Sequence, residues 1–301
     1  MTIHRDRTKA TWVALLLVAI ASLSLVLTAS ASAKLTGNWA RFAPCPYKNP
    51  EASKCINSTT VGGEVVLGSK KVPIVKPVVL QGAYTKGNAE GNAKFLAPTS
   101  GVALSKAPQP VPGGLAGLVN CKEISNFLLR ISCEVTFENG VTGLNSTLEL
   151  ARPATEIVVN ENNLAGEIGT ALKLPVKIHL ENPFLGESCF VGSSTSPVYW
   201  NLTSGVTSPP APNKPIEGSA GELEFLEEGS ILESKGAILV DNSWAAPGVN
   251  GCGGIFSLIL NPIINAAAGL PAAAGRNTAI LNNNIFVASA LAVKFIDEET
   301  P

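Results

Sequence analysis

Three groups of side chains in this sequence are of types that could carry chemistry: one histidine, six cysteines and several closely spaced glutamates. His179 is the only histidine after residue 33, and a histidine can act as a general acid or base near neutral pH. It stands between Ile178 and Leu180, and no serine or cysteine nucleophile lies at a recognisable spacing from it. We therefore predict a structural or surface role for His179, with a hydrolase as an alternative.

The cysteines are interpreted as structural. All six follow residue 33, and an even number in an exported chain favours disulfides. A zinc site is disfavoured because there is no Cys-x-x-Cys motif and only one histidine after residue 33. A paired cysteine also has no thiolate for nucleophilic attack. We predict that each cysteine pairs with its neighbour in sequence, as Cys45 with Cys55, Cys121 with Cys133 and Cys189 with Cys252.

The paired glutamates Glu222 and Glu224, and Glu227 and Glu228, are of the residue type that glycosidases use. Those enzymes also need a cleft with aromatic platforms, and this chain is poor in tryptophan and tyrosine. We interpret the glutamates as charges on a strand face and in a turn. The glycine-rich residues 251–254 lack the Lys-Ser/Thr of a phosphate-binding loop. No residue is therefore predicted to be catalytic or to bind a cofactor or a metal.

The elements that position these residues are predicted to be strands. Residues 172–180 alternate between apolar and mostly polar side chains, which is typical of a half-buried strand, and residues 198–203 repeat the pattern. Roughly ten such segments are separated by turn signals. The sequence thus predicts a mainly β fold, an antiparallel sandwich or a barrel-like sheet held by disulfides. Apolar spacing predicts one short helix near residues 255–268, which Pro262 would interrupt, and residues 286–295 are expected to form a last strand.

The N-terminal segment is typical of an export signal. Basic residues precede an apolar run over residues 12–28, and Ala31-Ser32-Ala33 fits the cleavage rule, so we expect a signal peptide over residues 1–33. An uncleaved anchor is the less favoured alternative. Residues 34–301 carry 19 basic and 22 acidic side chains, a net charge of −3, and no basic cluster of the kind that nucleic-acid binding requires.

Domain organisation is predicted from composition. Residues 106–117 contain three prolines and three glycines. This composition predicts that they form neither a helix nor a central strand. We place a boundary there, between an N-terminal β region of residues 34–110 and a C-terminal β region of residues 111–301. One continuous domain is the alternative.

The stretch from residue 242 to residue 293 is unusually apolar, since Arg276 is its only charged side chain. It either completes the core or provides an apolar surface or cavity for an envelope component, a lipid or a second protein. A membrane span is disfavoured because Asn261, Pro262 and Asn265 interrupt the stretch. After signal cleavage, the chain is not expected to be an integral membrane protein.

The N-terminal segment, the bias toward Ala, Gly, Pro, Thr and Val, and the block Leu180-Glu181-Asn182-Pro183-Phe184-Leu185-Gly186-Glu187-Ser188-Cys189 are diffusely similar to uncharacterised secreted proteins of high-GC Gram-positive bacteria. The resemblance implies an extracellular or cell-envelope location. It carries no catalytic motif and implies no reaction.

The function we expect is that of a non-enzymatic binding or structural β module, secreted or held in the cell envelope. The first alternative is an envelope pore or another oligomeric β assembly, although aromatic girdle residues are sparse. The second is the hydrolase that would use His179 or an acidic pair.

Overall fold

The computed structural model describes residues 35–115 and 143–299, together with residues 125, 127, 130 and 131. The expected signal peptide, residues 1–33, lies outside the described residues, and so does the predicted Cys121–Cys133 disulfide.

The fold is mainly antiparallel β, as the alternating segments predict. Every strand pair in the described part of the chain is antiparallel. The strands are β1 (Lys54–Leu67), β2 (Lys70–Pro73), β3 (Val78–Tyr84), β4 (Ala93–Leu96), β5 (Gln109–Pro110), β6 (Asn145–Leu150), β7 (Val158–Val159), β8 (Leu172–Glu181), β9 (Phe190–Val191), β10 (Val198–Leu202), β11 (Glu222–Leu226), β12 (Ile231–Asp241), β13 (Val249–Asn250) and β14 (Thr278–Ser289).

These strands form one large sheet. Its main path runs β11-β12-β14-β1-β3-β4-β7-β8-β6-β5, and β10 joins the side of β8 that β6 and β7 leave open. The two halves of the path are linked a second time, where Thr203 and Val240 exchange backbone hydrogen bonds of 2.9 and 2.8 Å. Because the halves are joined at β4 and β7 and again at this bridge, their inner faces share one core. Strands from both sides of the boundary expected near residue 110 belong to this sheet.

Within residues 35–115 and 143–299, helices are few and lie outside the sheet path. The α-helices in these ranges are α1 (Glu161–Gly166), α2 (Ser257–Ala268) and α3 (Ala290–Glu299), and 3-10 turns occupy Gly37–Phe42, Ala154–Glu156 and Gly254–Phe256. The helix expected near residues 255–268 is confirmed as α2, and it continues through Pro262. Burial of Ile264 and Ala268 stabilises the second half of α2, and this outweighs the low helix propensity of Pro262. The last strand ends at Ser289, so the expectation of a strand up to residue 295 is wrong.

Two clusters of buried apolar side chains stabilise the sheet. The larger cluster, which we call the central core, lies between the two sheet halves and includes Leu80, Val176, Trp200 and Leu281. The smaller one, the terminal cluster, joins the chain near residues 35–55 to α3. It contains Leu35, Trp39, Phe42, Cys45, Cys55, Ala83, Ile231, Ala288, Ala290 and Val293.

Two of the three predicted disulfides lie within the described residues, and both are confirmed. Cys45 is bonded to Cys55 in the terminal cluster, across a sequence separation of 10 residues. Cys189 is bonded to Cys252 in the central core, across 63 residues. The second bond ties the residues after β8 to the turn that precedes α2.

Candidate functional site

The central core contains an apolar cavity of about 100 Å³. Protein interiors pack as densely as organic crystals and contain few voids larger than a water molecule, so this volume is a distinctive feature of the fold. Its wall combines both sheet halves with the end of α2. Described residues in the wall include Val65, Val78, Leu80, Leu144, Leu174, Ile178, Trp200, Leu202, Leu239, Ala268, Leu270 and Leu281.

The alternation of β8 and β10 explains why their side chains face the cavity. In β8 the even residues 174, 176, 178 and 180 are buried, and in β10 Val198, Trp200 and Leu202 are buried. Successive side chains of a strand point to opposite faces, so each of these strands presents a continuous apolar row inward. The sequence prediction for both segments is confirmed.

A β-bulge in β1 keeps a third row pointing inward. Ser58 and Thr60 line the cavity from even positions, whereas Val65 and Leu67 line it from odd positions. The change of parity occurs at Val61, where the pairing with β14 gains one unpaired residue and the Val61 side chain is 51% exposed. An extra residue on one strand shifts the side-chain phase by one position. Both halves of β1 therefore face the cavity.

A second cavity of about 30 Å³ adjoins the first, since Ser58, Leu80, Leu172 and Leu239 line both. Its wall also contains Glu161, whose carboxylate accepts hydrogen bonds from Lys54 Nζ at 2.6 Å and from the Tyr84 hydroxyl at 3.0 Å. Burial raises the pKa of Tyr84 well above its ordinary value, and the charge and hydrogen bond of Glu161 raise it further. Tyr84 thus remains a hydrogen-bond donor, and the charge of Glu161 is neutralised by Lys54.

Polar side chains in the cavity wall differ in whether they have hydrogen-bond partners. Thr60 Oγ1 donates to Asn283 Oδ1 at 2.6 Å, and Asn283 Nδ2 donates to the carbonyl of Leu281 at 2.8 Å. Trp200 Nε1 is buried without a hydrogen-bond partner in the described part of the chain.

His179 lies on the opposite face of β8 from the cavity, in a network of charges. Its Nδ1 is 3.5 Å from Glu181 Oε1 and 3.8 Å from Glu149 Oε1, and its ring stacks on Phe190 with centroids 4.4 Å apart. Burial would raise the pKa of Glu149, but hydrogen bonds and charges from Lys106 and Lys177 outweigh it and lower that pKa. These contacts are consistent with the predicted structural role of His179.

The acidic pairs are also placed away from the cavities. Glu222 and Glu224 are exposed on β11 at the edge of the sheet, and Glu227 and Glu228 form the turn between β11 and β12. Within the described residues, no group of three or more His, Cys, Asp or Glu side chains is placed to hold a metal ion.

The apolar stretch over residues 242–293 serves two purposes. Its second half helps to build the cavity, through Ala268, Leu270 and Leu281. Its first half forms an exposed apolar patch at the start of α2, which consists of Ile255, Phe256, Leu258 and Ile259; Ile255 and Leu258 are each 89% exposed. In the described ranges, no helix combines the length and the apolar character that crossing a membrane requires.

Comparison of the chain with protein-family models, with curated proteins and with solved structures finds no match. The cavity itself is the strongest guide to function. Sequence reasoning raised a cavity under residues 242–293 as one alternative but did not single out Ser58 or Trp200. For Trp200 the signal was the alternation of residues 198–203, whereas residues 57–60 around Ser58 are all polar and carry no such signal.

Proposed function

We propose that this protein is a non-enzymatic binding protein that holds a small apolar molecule, or the apolar end of a lipid, in its central cavity, and that it acts outside the cell or in the cell envelope. The observation that carries the proposal is the apolar cavity of about 100 Å³ between the sheet halves, with a smaller one beside it. Ligand sites are typically concave and mostly apolar, with a few convergent polar groups.

The size of the cavity supports a ligand of a few heavy atoms. An engineered apolar cavity of about 150 Å³ stays dry and binds benzene. The two cavities together approach this volume. A molecule of about six carbons, or the corresponding end of an acyl chain, therefore matches the available space.

Two features support the proposed location. Disulfides form and persist mainly in oxidising compartments, and two are present in the described residues. The N-terminal pattern of a basic start, an apolar run and a small-x-small triplet predicts export.

The test is hexane binding by a variant whose cavity is blocked. Val78 is buried in the cavity wall, whereas nearby Val75 is 57% exposed. We expect Val78→Phe to lower the affinity for hexane at least about tenfold because the ring occupies the ligand volume. Val75→Phe adds the same group outside the cavity and should bind like the wild type. Tryptophan fluorescence reports binding, since Trp200 lines the cavity.

Two results would contradict the proposal: no saturable hexane binding by the wild-type protein, or equal binding by both phenylalanine variants when circular dichroism shows that both are folded. Either result would identify the cavity as a packing defect without a ligand.

The exposed apolar patch favours a second role, which is contact with an envelope component, either lipid or protein. Soluble proteins rarely expose contiguous large apolar side chains without an interaction. Ile255→Ser combined with Leu258→Ser should abolish retention of the protein by envelope extracts and leave hexane binding unchanged. Retention equal to that of the wild type would remove this role.

A further inference from the structure

We infer that the bound molecule carries one uncharged hydrogen-bonding oxygen, which Ser58 Oγ contacts where the two cavities adjoin. This inference depends on the proposed function, since it specifies the chemical class of the ligand. It selects alcohols, ketones and esters over pure hydrocarbons and over ionised acids.

Ser58 is the observation behind the inference. It is 7% exposed and lines both cavities. Its pairing partners on the neighbouring strands are Leu80 and Ile285, so the surrounding inner face is apolar. In the described part of the chain its hydroxyl makes no hydrogen bond. Because Ser58 is largely removed from solvent, a ligand oxygen at this junction would provide a favourable hydrogen-bond partner.

Thr60, Asn283 and Gln109, three other polar side chains of the wall, are already satisfied. Thr60 and Asn283 are bonded to each other, as described above. Gln109 donates to the carbonyls of Lys76 and Ala107 and accepts from the amides of Val75 and Lys76. These residues have structural partners inside the protein, which distinguishes them from Ser58.

Trp200 also lines the larger cavity, and the residue is 1% exposed. Its Nε1 is buried without a partner among the described residues, as is the Nε1 of Trp244, which packs against Trp200 and lines neither cavity. The inference therefore depends on Ser58, whose hydroxyl can donate a hydrogen bond to a ligand oxygen or accept one from it.

The charged side chains of the cavity walls indicate whether the ligand oxygen is ionised or uncharged. Of the described residues that line the larger cavity, Lys70 is the one with a charge, and in the smaller cavity Glu161 is neutralised by Lys54. Ser58 pairs with Leu80 and Ile285, so an ionised carboxylate at its hydroxyl would be buried next to aliphatic side chains, which is unfavourable. An uncharged oxygen avoids that cost.

The test compares hexane, 1-hexanol and hexanoate on three proteins: wild type, Ser58→Ala and Ser234→Ala. Ser234 is also buried, but it donates to the carbonyl of Ala220 and lines neither cavity. We expect Ser58→Ala to bind 1-hexanol about fivefold more weakly and hexane no more weakly, since one neutral hydrogen bond is lost. Ser234→Ala should leave the 1-hexanol to hexane ratio unchanged. Wild-type protein should bind hexanoate at neutral pH more weakly than 1-hexanol.

The outcomes separate this inference from the proposed function. Hexane binding with an unchanged 1-hexanol to hexane ratio in Ser58→Ala would overturn the inference and leave the proposed function intact. Tighter binding of hexanoate than of 1-hexanol would also overturn it. Failure of all three probes to bind the wild type would overturn the proposed function itself. Ser58→Cys, which keeps a weak donor of similar size, provides a second folded variant and should give an intermediate ratio.

Discussion

The central core and the terminal cluster are packed differently. Aliphatic side chains from two sheet halves dominate the wall of the larger cavity, and Trp200 is the one aromatic residue among its described lining positions. The terminal cluster instead contains Trp39 and Phe42, with Phe286 packed against it and the Arg41 guanidinium 3.5 Å above the Phe286 ring. Neither cavity is lined by a member of the terminal cluster.

The difference follows from the size of the side chains. Facing sheets lie about 10 Å apart, and the mostly aliphatic side chains of the wall leave part of the space between the two halves unfilled. Aromatic side chains on a short helical segment can fill the space above a single sheet face. The terminal cluster thus joins residues 35–55 to α3, whereas the incompletely filled central core has room for a ligand.

The largest loss of stability is expected when a side chain is removed from the terminal cluster. Phe42 is 1% exposed, and Phe42→Ala should lower the free energy of unfolding by about 3 to 5 kcal/mol because it creates a new cavity. Leu80→Ala, at the wall of the existing cavity, should cost about 2 to 3 kcal/mol, since fewer packing contacts are lost. Urea denaturation measures both. Equal costs would mean that the two regions are equally well packed.

The two disulfides provide the next comparison. Removing a disulfide relaxes the unfolded chain, and the cost grows with the loop that it closes. Replacing Cys189 and Cys252 by alanine should cost about 4 kcal/mol, and replacing Cys45 and Cys55 about 3 kcal/mol, because the loops span 63 and 10 residues. A larger loss for the Cys45–Cys55 bond in denaturation experiments would show that native packing of the terminal cluster outweighs loop entropy.

Adding one methylene should have opposite effects in the two regions. Val78→Leu extends into the cavity and should stabilise the protein by about 0.5 to 1 kcal/mol. Val293, in α3, is fully buried, and Val293→Leu should destabilise the protein by about 1 to 2 kcal/mol through overpacking. Melting temperatures that move in the same direction for both variants would contradict the distinction between the regions.

The smallest expected effect is a pH dependence in the terminal cluster. The Tyr47 hydroxyl donates to Asp297 Oδ2 at 2.7 Å, and burial together with this hydrogen bond and charge raises the pKa of Tyr47 to about 12. A raised pKa in the folded state means that the contact stabilises the protein below pH 10 and that this contribution is lost between pH 10 and about 12. The contribution should be about 1 kcal/mol or less because Tyr47 is partly exposed.

The comparison of wild type with Tyr47→Phe isolates this contribution. Below pH 10 the wild type should be slightly more stable, and the difference should shrink as the pH rises from 10 toward 11 in denaturation experiments. A difference that stays constant over this interval would show that the hydroxyl contributes nothing through its protonation.

Much of the fold was determined locally. The alternation in residues 172–180 predicts β8 and its inward face, and Val198, Trp200 and Leu202 predict the same for β10, because a strand places alternate residues on one side. The helical spacing of residues 255–268 predicts α2. Both disulfides found among the described residues follow from pairing neighbouring cysteines.

Other features depended on distant parts of the chain. The sequence of residues 290–295 is compatible with a strand, but these residues form a helix because Ala290 and Val293 pack against the segment near residue 42. The exposure of Ile255 and Leu258 could not be predicted either, because apolar spacing identifies a helix face but not whether anything covers it.

The sequence alone determined which residues alternate and therefore which side chains point inward. Only the tertiary structure decided whether those side chains meet or leave a space. The cavity lies between two sheet halves, and it depends on the bulge at Val61 that turns Ser58 and Val65 to the same side and on the bridge between Thr203 and Val240 that joins those halves. Each of these joins residues far apart in sequence, and local propensity contains no information about the volume left between them.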